Sequence, residues 1–166
     1  MGTGLLVSEQ EYLTTTYEPD CEYEDGVLIG RNVGKKKHSR LQAAFAGFFY
    51  QRRELWNIEV FTEQRHRIRS GKYMLPDLCV FPSPSPEEEV FTSPPLIWIE
   101  ILSPDDRLIR VNARIRQILA FGVANLWIVD PDTLESEIHT PHGSAKVEDG
   151  ILRVEGTLIE VPLFNL

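Results

Sequence analysis

The sequence predicts an α/β protein in which a mixed β-sheet is flanked by helices. Residues 96–102 are apolar on both faces, as expected of a central strand that is covered on both sides. A helical stripe and a second apolar strand, Asn125–Val129, follow at the spacing of a βαβ unit, which places the two strands parallel. Strand patterns with turn signals lie before and after this unit, so the predicted sheet is mixed.

Length and composition set the class of protein. The 166 residues suit a single domain, residues 1–166, that buries roughly 70% of the surface of the unfolded chain. Hydrophobic residues at 42% and charged residues at 25% argue against a disordered, collagen-like or coiled-coil chain. No membrane span or signal-peptide pattern is present, and Cys21 and Cys79 form no CxxC or Cys/His cluster. A cytoplasmic protein without a membrane partner is expected.

The first elements are indicated by cap and turn signals. Ser8 followed by Glu11 resembles a capping box and predicts a short helix to about residue 16. Asp25-Gly26 is a two-residue turn signal between the short strands Cys21–Glu24 and residues 27–31, which together predict a hairpin.

A long amphipathic helix is predicted over residues 39–55, where apolar residues recur at helical spacing. The turn that leads into it carries Lys37 and His38. His38 either caps this helix or faces a phosphate group, and Lys37 is a candidate contact to a nucleic-acid backbone.

The remaining elements follow from apolar runs and turn residues. Residues 58–68 and 74–81 read as adjacent strands, and the proline-rich residues 82–95 as an exposed loop. A helix with an apolar stripe between residues 108 and 119 ends at Gly122, which stands where a C-terminal cap belongs. Short strands close the chain near residues 135–139, 145–148, 151–154 and 157–161.

The charge of the chain is unevenly distributed. Residues 1–30 carry −7, residues 31–116 carry +5 and residues 117–166 carry −6, within a net charge of −8. The basic residues of the middle segment either form separate solvated faces or line a phosphate-binding groove. In the second case, we expect a positive groove around the site and nucleic-acid affinity that falls steeply with salt.

Glu100 is the most informative single residue, because an isolated carboxylate in an apolar central strand costs several kcal/mol unless it is paired or coordinated. Asp77 lies in a predicted strand that could neighbour it. Two converging carboxylates form a site for a hard divalent cation, and their oxygens are then expected within about 6 Å of each other. Pairing of each acid with a basic residue is the alternative, and arginines are plentiful in this part of the chain.

Three arginines share one strip of the predicted helix over residues 108–119: Arg107, Arg110 and Arg114. Arg107 and Arg110 are candidate nucleic-acid contacts. Arg114 could reach Glu100 or Asp77, either as a structural salt bridge or as a clamp on a phosphate.

Other motifs give weaker signals. Composition alone indicates that Glu22 and Glu63 are solvated acids. No GxSxG, Walker A, GxGxxG or HExxH element is present, which removes the simplest hydrolase, NTPase, dinucleotide-binding and zincin interpretations.

A family resemblance rests on five motifs in a fixed order. They are Glu22-x-x-Asp25-Gly26, Lys37-His38-Ser39, Tyr73-Met74-Leu75-Pro76-Asp77, WIEILSP at residues 98–104, and Gly122-Val123 followed by WIVDP at residues 127–131. Together they resemble the Uma2 family of endonucleases over about residues 8–140, and the EILSP and WIVDP segments are the most specific parts.

The resemblance implies a restriction-endonuclease-like core of the PD-(D/E)XK superfamily, in which two carboxylates and a lysine around a core sheet bind Mg²⁺ for phosphodiester hydrolysis. It implies that Asp77 and Glu100 are ligands of Mg²⁺ or Mn²⁺, and that Glu22 is an additional acidic catalytic residue. The implied partner is a nucleic acid, DNA foremost. A homodimer is expected by analogy with related nucleases.

Arg114 departs from the family pattern, which usually has a lysine at this position and a tyrosine where Ile118 lies. As a candidate catalytic residue, Arg114 would contact the scissile phosphate, but a guanidinium with a pKa above about 12 is a poor proton acceptor. The alternatives are an Mg²⁺-dependent endonuclease, an inactive nucleic-acid-binding module, and a protein-interaction module in which Arg114, Asp77 and Glu100 form a closed ionic network.

Overall fold

The computed structural model describes residues 6–32 and 34–166. This part of the chain contains three α-helices and twelve strands. In chain order they are α1 (Glu9–Thr14), β1 (Cys21–Glu24), β2 (Val27–Gly30), α2 (Lys36–Trp56), β3 (Ile58–Thr62), β4 (His66–Arg69), β5 (Lys72–Met74), β6 (Leu78–Pro82), β7 (Ile97–Ile101), α3 (Leu108–Phe121), β8 (Asn125–Val129), β9 (Ser136–Thr140), β10 (Gly143–Lys146), β11 (Ile151–Arg153) and β12 (Glu160–Pro162).

The strands form three sheets. The largest has the order β10-β9-β8-β7-β6-β3, a smaller one has the order β2-β1-β5-β4, and β11 pairs with β12. In the largest sheet, β7 and β8 run parallel and the other neighbouring strands run antiparallel. The predicted α/β class, the mixed sheet and the βαβ unit are therefore confirmed.

Helices cover both faces of the largest sheet, because the side chains of β7 alternate between two apolar layers. Ile97, Ile99 and Ile101 pack in one layer with Phe45 and Phe49 of α2. The opposite layer contains Trp98 and is closed by α3. Glu100 shares the α3-facing side with Trp98, since residues two apart on a strand point the same way.

Local signals account for the turns. Asp25 and Gly26 adopt positive φ angles of 46° and 94°, the conformation that makes Asp-Gly suitable for a two-residue hairpin. Ser8 caps α1 by accepting a hydrogen bond from the backbone N–H of Glu11. Gly122 ends α3 with a φ of 107°. These three expectations are confirmed.

Two expectations need correction. The run over residues 58–68 is not one strand, because Glu63, with a φ of 51°, turns the chain from the largest sheet into the smaller one. The loop over residues 82–95 is not wholly exposed, because Phe91 is buried in an aromatic cluster and pairs with His66. Within the described residues, no helix is long and apolar enough to cross a membrane.

Candidate active site

A cleft of about 340 Å³ lies where the smaller sheet faces α3 and the ends of β6 and β7. It gathers residues that are far apart in the sequence. Its charged lining comprises five acids and four basic side chains, together with His38: Glu22, Glu24, Asp77, Glu100, Asp106, Arg31, Lys72, Arg110 and Arg114. Even with His38 protonated, five cations face five acids, so the described residues that line the cleft carry no net positive charge and do not by themselves form the positive groove that is expected from the sequence.

Asp77 lies directly before β6 and is buried. Its Oδ2 accepts a hydrogen bond of 2.7 Å from the backbone N–H of Ile101 and lies 3.3 Å from His38 Nε2. Its Oδ1 accepts a bond of 2.9 Å from Arg31 Nη2. The backbone bond ties this carboxylate to β7, next to Glu100.

The pKa values of Asp77 and His38 reflect the same contacts. Burial acts to raise the pKa of Asp77, but the hydrogen bond from His38 and the charges of His38 and Arg31 outweigh it, and the pKa lies below its ordinary value. The hydrogen bond to Asp77 raises the pKa of His38. The pair therefore favours a carboxylate beside an imidazolium.

Glu100 is held by donors from its own strand and from α3. Its Oε1 accepts bonds of 2.7 Å from Trp98 Nε1 and 2.9 Å from Arg114 Nη2. Burial raises the pKa of Glu100 in spite of the charge of Arg114, and the negative charge of Asp77 raises it further. The two carboxylates thus lie near enough to influence each other electrostatically.

Arg114 forms a bidentate salt bridge with Glu22. Its Nη1 and Nη2 donate to the two Glu22 oxygens at 2.6 and 2.7 Å, and Nη2 also donates to the carbonyl oxygen of Leu75 at 3.0 Å. Glu22 in turn accepts the N–H of Leu75 at 2.8 Å. Burial acts to lower the pKa of Arg114, but Glu100 and Glu22 raise it well above its ordinary value.

The structure therefore corrects the composition-based interpretation of Glu22. Its side chain is only 8% exposed, so it is not a solvated hairpin acid. Of the two roles open to Arg114 in the sequence, the observed contacts are those of a salt bridge. The predicted network of Arg114, Asp77 and Glu100 is split, because Asp77 pairs with Arg31 and His38 instead.

The cleft offers suitable oxygen ligands for a divalent cation, but an arginine of the protein already occupies one of them. Asp77 and Glu100 supply hard carboxylate oxygens, the donors that Mg²⁺ and Mn²⁺ prefer. Arg31 already occupies Asp77 Oδ1, so a cation there would displace its guanidinium. Within residues 6–32 and 34–166, no cluster of three or more His, Cys, Asp or Glu side chains forms a ready-made metal site.

The predicted nucleic-acid contacts occupy different places. Arg110 and His38 line the cleft, and His38 belongs to the first turn of α2 without capping it. Lys37 lies outside the cleft and pairs with Asp132 on the surface. Arg107 precedes α3 as its N-cap residue and is also outside the cleft lining.

Arg31 and Lys72 belong to the basic residues of the middle segment, either solvated or groove-lining, but the sequence did not assign them individually to this site, and it did not identify the hydrogen-bond donor Trp98. Trp98 stands two residues before Glu100, so strand periodicity could have placed the two on one face. Lys72 lies opposite Glu24 in the register of β1 and β5, which only the long-range pairing reveals. Arg31 follows β2, and no periodic pattern fixes its direction.

Similar proteins are found both among protein families and among solved structures. A family model, Uma2, described as "putative restriction endonuclease", matches residues 9–165. The crystal structure of a "putative nuclease belonging to DUF820" from Anabaena variabilis ATCC 29413 superposes with a TM-score of 0.79 and 24% identity, covering 96% of each chain. This likeness shows a shared fold. A search of curated proteins gave no match.

Proposed function

Because the chain belongs to the Uma2 family, we propose that it hydrolyses phosphodiester bonds of nucleic acid, DNA foremost, in the cleft that holds Asp77 and Glu100. The observation that carries the proposal is the hydrogen bond from the Ile101 backbone N–H to Asp77. Because Ile101 follows Glu100 in β7, this bond holds the buried Asp77 carboxylate next to Glu100. Asp77 directly precedes β6, Glu100 lies in β7, and both side chains line one cleft.

The charge of the cleft favours a divalent cation as cofactor. Five acids and four basic side chains offer little attraction for a phosphate anion. Mg²⁺ or Mn²⁺ held by Asp77 and Glu100 would supply positive charge at the phosphate and lower the pKa of a bound water. The Arg31 guanidinium would then move from Asp77 towards the substrate.

The remaining residues position these two acids. Trp98 and Arg114 both donate to Glu100 Oε1, which directs the carboxylate towards the cleft rather than into the apolar layer. Glu22 fixes the plane of the Arg114 guanidinium through two parallel bonds. In this proposal, Arg114 is a positioning residue, and Arg110 at the cleft wall contacts the nucleic-acid backbone.

The test is a cleavage assay on single-stranded DNA, duplex DNA and RNA with Mg²⁺, Mn²⁺ or EDTA. The wild type is compared with Asp77→Asn and Glu100→Gln, and with Glu155→Gln as a control at an exposed acid outside the cleft. Metal-dependent cleavage by the wild type and the control, with at least a hundredfold loss in the two cleft variants, is expected. Cleavage that survives in Asp77→Asn, or no cleavage by folded wild type on any substrate, contradicts the proposal.

A second candidate function is a binding module without hydrolysis. One observation favours it: Asp77, Glu22 and Glu100 already pair with cationic side chains of the protein. It predicts oligonucleotide binding that falls with salt but no cleavage in any metal. Light scattering on the same samples tests the homodimer that we propose by analogy.

A further inference from the structure

We infer that Lys72 contacts a phosphate group of the substrate in this cleft. The inference rests on the proposed function and assigns a role to a residue that the family motifs do not include. The inference rests on three observations: the direction of the Arg114 donors, the position of Lys72, and the contacts of the Lys72 ammonium group.

The contacts of Arg114 hold its guanidinium in place within the protein. Its Nη1 is directed to Glu22 Oε2, and its Nη2 is shared among Glu22 Oε1, Glu100 Oε1 and the carbonyl oxygen of Leu75. Withdrawing the guanidinium would leave two buried carboxylates without their partner, which is strongly unfavourable. A cation that moves towards the substrate is therefore expected among the other basic residues of the cleft, of which Lys72 is one.

Lys72 lies on the cleft side of the smaller sheet. It pairs in register with Glu24, while the next pair, Tyr23 and Tyr73, packs in a tyrosine cluster. Side chains alternate along a strand, so Lys72 and Glu24 point away from that cluster, to the same face as Glu22. The Lys72 side chain is only 6% exposed, and the opening it lines is the one that contains Asp77 and Glu100.

The Lys72 amine has donors left for a ligand, and its carboxylate partner has a second cation. Its Nζ lies 2.7 Å from Glu24 Oε1, the one ion-pair partner that it has among the described residues. An ammonium group has three donors, so further hydrogen bonds can be made. The same Glu24 oxygen also accepts Arg69 Nη2 at 3.0 Å, and Glu24 therefore keeps a cationic partner when Lys72 moves.

The matched variants are Lys72→Met and Glu24→Gln. Both remove the same ion pair, but only the first removes the amine. We expect Lys72→Met to weaken binding of a short DNA oligonucleotide and raise KM about tenfold, because a charge-assisted bond to phosphate is lost. Glu24→Gln keeps the amine and removes a negative charge from the cleft, so it should neither weaken binding nor raise KM, and Lys72→Arg should recover most of the loss. Equal losses in Lys72→Met and Glu24→Gln, with matched thermal unfolding, would show a structural ion pair and overturn the inference.

A second measurement uses the wild type and does not depend on variant folding. Pyridoxal 5′-phosphate, an aldehyde that carries a phosphate, is added and the imine is reduced with borohydride. Mass spectrometry then locates the label among the five lysines of the chain. We expect labelling at Lys72 that inorganic phosphate or the oligonucleotide suppresses.

The outcomes separate the two proposals. Labelling confined to other lysines, or Lys72 labelling that phosphate does not suppress, overturns the role of Lys72 even if the wild type cleaves DNA. Phosphate-protected labelling at Lys72 in a protein that cleaves no substrate supports the phosphate contact and contradicts the nuclease.

Discussion

Replacing Arg114 by alanine should destabilise the fold by about 3–5 kcal/mol at neutral pH, because it leaves Glu22 and Glu100 as uncompensated buried carboxylates. The Arg114 side chain is 26% exposed, while those of Glu22 and Glu100 are 8% and 13% exposed, so water offers these acids little replacement solvation. The carbonyl oxygen of Leu75 also loses its donor. For a chain of this length, the loss corresponds to a fall in Tm of roughly 6–20 °C.

Urea unfolding followed by circular dichroism measures this effect. Arg116→Ala is the matched control, since Arg116 is an exposed arginine on the same helix. The deficit of Arg114→Ala should shrink as the pH falls, because protonation removes the unpaired charges. Arg114→Lys should lie between the wild type and Arg114→Ala, since an ammonium group keeps the charge but cannot form the fork to Glu22. A loss below about 1 kcal/mol in Arg114→Ala, equal to that of Arg116→Ala, would refute the buried network.

Burial lowers the pKa of His66 to about 4, so on acidification this imidazole is protonated in the unfolded chain before it is protonated in the folded protein. The free energy of unfolding should therefore fall by about 3 kcal/mol as the pH drops from about 6.5 to 4. His66→Phe should flatten this pH dependence in urea unfolding, and an unchanged slope would count against a buried neutral imidazole. The raised pKa of His38 beside Asp77 has the opposite effect on the pH dependence of stability. The stabilisation that protonated His38 gives to the fold is complete below about pH 6.5 and is lost as the pH rises through the pKa of the folded protein. His38→Gln should remove that decline in thermal unfolding between pH 6 and 9, and a decline that persists would disprove the coupling. Gly71→Ala should cost about 1–3 kcal/mol, because φ is +71° and the new Cβ would press on the Asp25 carboxylate; an unchanged Tm would contradict the backbone strain at this position.

The sequence predicted those parts of the fold that short-range patterns specify. Residues 96–102 are apolar on both faces and are followed by a helical apolar stripe and a second apolar run. This pattern was sufficient to predict the βαβ unit and its parallel strand pair. The Asp25-Gly26 turn and the Gly122 cap follow from the conformational freedom that these positions require. The division of residues 58–81 between two sheets was not predicted, because it depends on which distant strand each segment pairs with.

The candidate site was predicted only in part for the same reason. Glu100 stood out because it interrupts an apolar strand, whereas Glu22 lies in a polar hairpin whose burial comes from contacts with distant α3. The pairing of Arg31 with Asp77 joins residues 46 positions apart, and local sequence contains no signal for it. Lys72 enters the site only through the register of β1 and β5.

The proposed metal site in the cleft is tested most directly by titrating Mn²⁺ into folded wild-type protein and following binding by calorimetry. One ion per chain is expected, with affinity at least about tenfold weaker in Asp77→Asn and in Glu100→Gln, because each variant removes one hard anionic ligand. Glu155→Gln should bind as the wild type does. No binding to the wild type, or equal binding in all four proteins, would contradict a divalent cation held by Asp77 and Glu100.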